Sequence, residues 1–496
     1  MKSYLKLADK FEKISLINSA NSVLSWDNAV MMPAASGELR ARQMANLQGL
    51  AHSIITSPEV KDLLDEAEQK DAKDLDEWQI ANLKLMRKEW IHSNAIDEKL
   101  LKEFSMAGTE CELRWRGAKR SNDFKTFAVF FKKVLNLSRE IASLKSDALG
   151  LSKYNALLDQ YDSGRRSEDI DVIFEDLKSF LPNFIEKVRT KQSKEPLPQR
   201  PSGKYSVEKQ KELGLEMMKI IGFNFEKGRL DVSTHPFSSG EPDDVRITTR
   251  YDESDYTESL MGVFHETGHA MYTFGQPAKY RNQPVGNSLG MTMHESQSLI
   301  IEMQVCRSRE FINFLQSYTK KYFGDNFENT AENLYRYYNH VEPSFIRVSA
   351  DEVTYPLHVI LRYELEKLLI EGKLEIDDLP QEWNNKMKEY LGITPPDFAQ
   401  GCMQDIHWTD GSFGYFPTYT LGAMTAAQLY SAAKKQFNNI PKEISEGKFA
   451  SLMNWLNDNI HSKGCLLNSD ELTKAATGEY LNANIFKEYL KNKYLL

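Results

Sequence analysis

One short stretch, His265-Glu266-Thr267-Gly268-His269, limits what this chain can fold into and what chemistry it can carry. On a helix, residues four apart lie one turn apart on the same face, so His265 and His269 can offer both imidazoles to one cation. Glu266, beside the first of them, is placed to act as general base toward water held by that cation. This is the HExxH arrangement of zinc hydrolases. It needs a helix, and the flanks predict one. Asp255 and Glu258 are spaced as a capping box, and Leu260, Met261, Phe264, Met271 and Tyr272 recur at helical intervals. Gly275 and Pro277 end the pattern. Gly268 inside that helix costs about 1 kcal/mol against alanine, so it implies close approach of a second element.

A catalytic zinc needs a third protein ligand and one open position. Thr292-Met293-His294-Glu295-Ser296-Gln297-Ser298 offers two candidates, ahead of the apolar-periodic helix LIIEMQVCRSREFINFLQ. Glu295 is preferred, because two histidines and a downstream acid form an attested catalytic set, and a carboxylate beside a divalent ion keeps its charge. The alternative ligand is His294, with Glu295 then a capping-box partner of Thr292.

The rest of the chain reads as mainly α. Helical patterns cover 4–25, then Arg40 to about Ser57, and continue past 190, with Ser57-Pro58 and Ser167 as helix starts. Three prolines in KEPLPQRPSG (194–203) mark a surface linker, so the 496 residues are one domain, with two helical lobes possible around that linker. A helix over about 207–221 follows. Val245 to Tyr251 is the one convincing strand region, and it leads into the HETGH helix. A small sheet there can present an edge to an extended peptide. Helices resume over 292–322, 329–340, 351–371, 381–391 and 415–436, and again in the C-terminal stretch, where Ser469 is the expected cap.

With 62 basic and 71 acidic residues the net charge is −9, and no basic stripe suits nucleic acid. No run of about 18 apolar residues predicts a membrane span. The N-terminus lacks an apolar signal-type segment, and four scattered cysteines without a CxxC pair read as free thiols. A soluble, cytoplasmic protein is expected.

Further stretches carry chemical residues. Ser233-Thr234-His235-Pro236-Phe237 puts a histidine in a turn before the strand. Ile346-Arg347-Val348-Ser349-Ala350-Asp351 offers a guanidinium that can bind a carboxylate bidentately or form a structural ion pair. Gly401-Cys402-Met403-Gln404-Asp405-Ile406-His407-Trp408 crowds polar and aromatic groups. Phe413-Gly414-Tyr415-Phe416-Pro417-Thr418-Tyr419 opens a helix, and a phenol there can donate to an oxyanion or simply pack in the core.

In this order, together with Asp244-Val245-Arg246-Ile247-Thr248 and His294-Glu295-Ser296-Gln297, these motifs resemble the carboxypeptidase Taq family, the thermostable-carboxypeptidase type of zinc metallocarboxypeptidase. Trp26-Asp27 and Met32-Pro33 extend the likeness toward the N-terminus. The resemblance implies a mostly helical fold with a deep groove, a small sheet on its wall and zinc at its floor. It implies removal of C-terminal residues from peptides with broad preference, and homodimers. By position, His265, His269 and Glu295 would bind zinc, for which cobalt or manganese can substitute. Glu266 would be the general base and acid, and Arg347 the candidate anchor for a free C-terminal carboxylate. Tyr415 and His407 are the transition-state candidates, with Tyr419 behind them, and His235 and Arg246 would shape the site. The alternatives are a related oligoendopeptidase or dipeptidase, and a non-catalytic helical peptide-binding protein.

Overall fold

A computed structural model describes residues 1–496. It is 70% helical, with 20 α-helices and one three-stranded sheet. Two large apolar cores lie within it. One gathers helices between residues 100 and 188 with Tyr355–Ile370 and the C-terminal helix Ala483–Tyr494. The other gathers Val207–Ile221, the HETGH helix and the segments that follow it. The helix Pro417–Gln436 belongs to both, with Leu421, Met424 and Ala427 in the first core and Ala426, Leu429 and Ala433 in the second. Burying opposite faces of one helix in two cores joins them mechanically.

The sheet explains how the HETGH helix is held. Strands β1 (Gly228–Val232), β2 (Ser238–Glu241) and β3 (Asp244–Thr249) lie in the order β1-β3-β2. β1 pairs parallel to β3, with Leu230 opposite Ile247, and β2 pairs antiparallel to it. Val245 and Ile247 pack with Val263 and Ala270 of the helix Tyr256–Phe274. Alternation along the strand therefore turns Arg246 to the opposite face. There it binds Asp244 (2.9 and 2.8 Å) and lies over the Trp26 ring of the N-terminal helix Lys2–Val30.

Gly268 meets the close approach expected of it. A Cβ at this position would stand 2.5 Å from the carbonyl oxygen of Gln297 and 2.6 Å from Cα of Ser298, in the crossing helix Gly290–Leu299. Gly422 does the same from the other side, where a Cβ would lie 2.9 Å from Cβ and Cγ of Glu295. Three helices thus converge on Glu295 because two of their contact positions lack side chains. Gly268→Ala should lower stability by about 1–3 kcal/mol, the scale of overpacking a tight core, and chemical denaturation measures it. A loss no larger than a few tenths would show that the crossing is not tight.

Several element ends differ from the sequence reading. Asp255 caps its helix alone, accepting from the Thr257 backbone N–H, while Glu258 turns to Arg250. The caps at 167 and 469 sit one residue earlier, on Arg166 and on Asn468, which forms a full capping box with Glu471. The helix expected over 292–322 is broken: Ile300–Cys306 is wound as a π-helix, and Ser308 caps a new helix, Arg309–Phe323. The helix expected from 351 begins at Tyr355, because the Asp351 carboxylate ties up the Val353 and Thr354 N–H groups in a turn. The helix expected from 415 begins at Pro417.

Candidate metal centre and active site

The HETGH helix crosses Gly290–Leu299 at Gly268, and that crossing aims Glu295 at both histidines. Its Oε2 lies 3.7 Å from Nε2 of His265 and 3.5 Å from Nε2 of His269. One donor atom from each residue falls within 4.8 Å of the others. Donors about 2.0–2.2 Å from a tetrahedral ion stand roughly 3.3–3.6 Å apart, so the set fits a small divalent cation. Burial opposes charge on His265, yet Glu295, the hydrogen bond to Glu302 and nearby Glu266 together push its pKa up to about 10. The cluster of carboxylates demands a positive charge, as a cation site must.

Both histidines are braced from behind. His265 Nδ1 hydrogen-bonds Glu302 Oε2 at 2.9 Å, and Glu302 is in turn paired with Arg307. Burial opposes the charge on Glu302, but Arg307 and His265 hold its pKa down at about 2. His269 Nδ1 lies 2.6 Å from His294 Nδ1, so one ring donates and the other accepts. Burial and the neighbouring histidines hold His294 well below its ordinary pKa, so it is neutral. For His269 to present the Nε2 lone pair, its Nδ1 must carry the proton, and His294 is then the acceptor. The carboxylate of Glu295, and not the ring of His294, joins the two HETGH histidines.

Glu266 is buried, and burial raises its pKa while His265 and His269 lower it. A carboxyl group tuned upward is suited to accept and return a proton.

A second cluster combines the motifs at 347, 405–407 and 415–419. Arg347 is buried; its Nε contacts Asp405 Oδ2 at 3.2 Å and its Nη1 donates to the Tyr355 hydroxyl at 2.7 Å. Asp405 also holds His407 Nδ1 at 2.6 Å. Although burial works against it, Arg347, His407 and Arg362 keep the Asp405 carboxyl well below the usual carboxylate range. Tyr415 stacks on His407 and meets Tyr419 edge-on at 5.2 Å, although it precedes the helix instead of sharing a face with Tyr419. Burial, then the Glu295 charge, raise the pKa of Tyr415, so its phenol keeps its proton. Tyr355 and Tyr419 feel the same carboxylate, which puts this cluster beside the candidate metal ligands.

Two expected residues make none of these contacts. The His235 ring is exposed, and its carbonyl accepts from Ser233 Oγ. Arg246 faces Trp26 across the sheet. A cavity of about 860 Å³ lies between the N-terminal helices and the first core, and none of His265, His269 and Glu295 lines it. Its lining includes Tyr161, whose ring stands edge-on to Tyr415, and Leu289 and Gly290 at the head of the Glu295 helix. Sequence reasoning missed Glu302, Tyr355 and the pairing of Asp405. For Glu302 a signal existed: it is the single charge in SLIIEMQVC, and a lone acid in an apolar run is buried only with a partner.

Residues 6–494 match the family model of the carboxypeptidase Taq (M32) metallopeptidases. The chain belongs to this family. It is 35% identical to thermostable carboxypeptidase 1 of Thermus thermophilus over 503 aligned positions, covering 99% of this chain and 98% of the relative. Thermostable carboxypeptidase 1 of Pyrococcus furiosus is 34% identical, with 98% and 97% covered. Among solved structures, metallocarboxypeptidase 1 of Trypanosoma cruzi superposes with a TM-score of 0.97 at 39% identity, with both chains covered completely. The M32 carboxypeptidase of Deinococcus radiodurans gives 0.94 at 31%, covering 100% of this chain and 99% of that one. This M32 chain is a metallocarboxypeptidase, and its helical fold with one small sheet is that of its relatives. No helix is long and apolar enough to cross a membrane.

Proposed function

We propose that this enzyme is a zinc-dependent carboxypeptidase that releases C-terminal residues one at a time from peptides, with broad preference for the residue released. The single observation that carries the reading is the convergence of His265, His269 and Glu295 beside a buried arginine cluster. His265, His269 and Glu295 hold one divalent ion; cobalt or manganese can take the place of zinc in this set. When bound, the ion acts as a Lewis acid toward water and the scissile carbonyl. Glu266 takes the proton of the attacking water and returns it to the leaving amine. Tyr415 donates its O–H to the developing oxyanion, with His407 the alternative donor and Tyr419 fixing the Tyr415 ring. Arg347 receives the free C-terminal carboxylate: Nε and Nη1 each give one N–H to Asp405 and Tyr355, which leaves three of the five guanidinium N–H groups, one on Nη1 and two on Nη2. His235 and Arg246 shape the groove wall at the sheet. We read the chain as one domain of two lobes meeting near the 194–203 linker, a cytoplasmic homodimer acting on neither nucleic acid nor membrane. The four cysteines are free, as reduced thiols would be.

The ligand assignment has a direct test. Glu295→Ala should weaken metal retention by at least about 10-fold, since even groups that only orient ligands have effects of that size. Elemental analysis after dialysis reads it. Full occupancy in Glu295→Ala together with an empty site in His294→Ala would reverse the assignment of the two neighbours.

A further inference from the structure

Glu302, which braces His265, lies in the π-wound segment Ile300–Cys306. Winding there disturbs the backbone pairing. The N–H groups of Arg307 and Ser308 go to the carbonyls of Glu302 and Val305, passing over that of Met303. A half-buried carbonyl left out of the ladder is better satisfied by another donor. The last helix of the chain, Ala483–Tyr494, supplies it: Lys493 Nζ donates to this carbonyl at 3.2 Å and to the Tyr489 hydroxyl at 3.0 Å.

The same helix is locked in place by a second acceptor. The Glu352 carboxylate, only 6% exposed, receives Lys493 Nζ (2.6 Å), the Tyr489 hydroxyl (2.5 Å) and the Tyr494 hydroxyl (2.9 Å). Glu352 also acts on Arg307, the partner of Glu302. Four charges, two buried carboxylates and two half-buried cations, therefore alternate in sign from the metal ligand outward: Glu302, Arg307, Glu352 and Lys493. Such a row is stabilising only when complete, because removing one member strands its neighbours in a low-dielectric interior.

We propose that the C-terminal helix is a positioning element for the metal site: Lys493 holds the π segment, and Tyr489 holds Lys493, so that Glu302 fixes the His265 ring. This rests on the assignment of His265 as a metal ligand. Neither Lys493 nor Tyr489 touches the ion or the peptide. Lys493 acts through the Met303 carbonyl, and Tyr489 through Lys493, on a carboxylate that sets the tautomer and tilt of the ligand, a kind of support worth about 10–100-fold in metal affinity.

The test uses the full-length enzyme, stripped by a chelator and titrated with zinc alone against a chromophoric competitor. Lys493→Met should lower zinc affinity about 10-fold or more, and Tyr489→Phe should lower it by a smaller factor. Leu490→Ala is the control for plain destabilisation, since it empties a fully buried position of the same helix that makes none of these hydrogen bonds. It should depress the thermal midpoint of the metal-free protein and leave zinc affinity unchanged. If Lys493→Met does not fold, Tyr489→Phe, which deletes a single hydroxyl, decides the matter. Unchanged affinity in Tyr489→Phe and Lys493→Met, or an equal fall in Leu490→Ala, would overturn the proposal. His265→Gln separates the two levels: if it binds zinc like the wild type, the ligand assignment itself fails, whereas loss there with wild-type affinity in the helix variants refutes the strut alone.

Discussion

Glu266→Gln should keep the metal and the fold while kcat falls by roughly 10²–10⁴-fold, the range for a positioned acid/base. The expectation follows from where the carboxylate sits. It is buried on the HETGH helix next to His265, whose own partners are Glu295 and Glu302. Removing its charge therefore leaves the ligand set and its braces in place. Glutamine is close in shape, so the helix crossing at Gly268 is undisturbed. Two proton transfers pass through this one group, and an amide performs neither. Elemental analysis and single-turnover kinetics on the same sample separate metal loss from lost chemistry. A near-normal kcat with full metal would remove Glu266 from the mechanism.

Arg347→Ala should cost about 2–5 kcal/mol in kcat/KM for peptides with a free C-terminus, the scale for truncating one member of a buried charge pair. Part of that loss is the stranding of Asp405, which is buried between Arg347 and His407. The residual rate on an amidated peptide isolates the rest, because there the variant loses only the Asp405 part. Arg347→Lys should also be poorly tolerated. A point charge can replace the pairing with Asp405 but not the two parallel N–H groups that a carboxylate needs. If amidation blocks cleavage in the wild type and Arg347→Ala leaves it unaffected, carboxylate recognition belongs to another residue, with Arg246 and Arg250 next to be tested.

What was legible in the sequence was what local periodicity encodes. The His265–His269 spacing, the apolar stripe beside it and the glycine at 268 are read within two helical turns. The ordered motifs carried the family and its mainly helical fold. Contacts between distant segments were not legible in the same way. Nothing local says that Gly422 lets Glu295 approach, that Asp405 joins Arg347 to His407, or that Arg246 stacks on Trp26. The strand did contain that last answer in part: its two-residue period puts Arg246 on the face opposite Val245 and Ile247. The π segment escaped because its apolar pattern continues that of the flanking helices, and only the insertion of Glu302 into that pattern distinguished it.

The central claim is that the site removes residues from a free C-terminus. The most direct measurement incubates the wild-type enzyme with one peptide in two forms, free acid and C-terminal amide, and follows product masses with time. The free acid should give a ladder of single-residue losses, and the amide should stay almost intact. Internal fragments released equally from both forms would contradict the claim, and would reduce Arg347 to a structural ion pair.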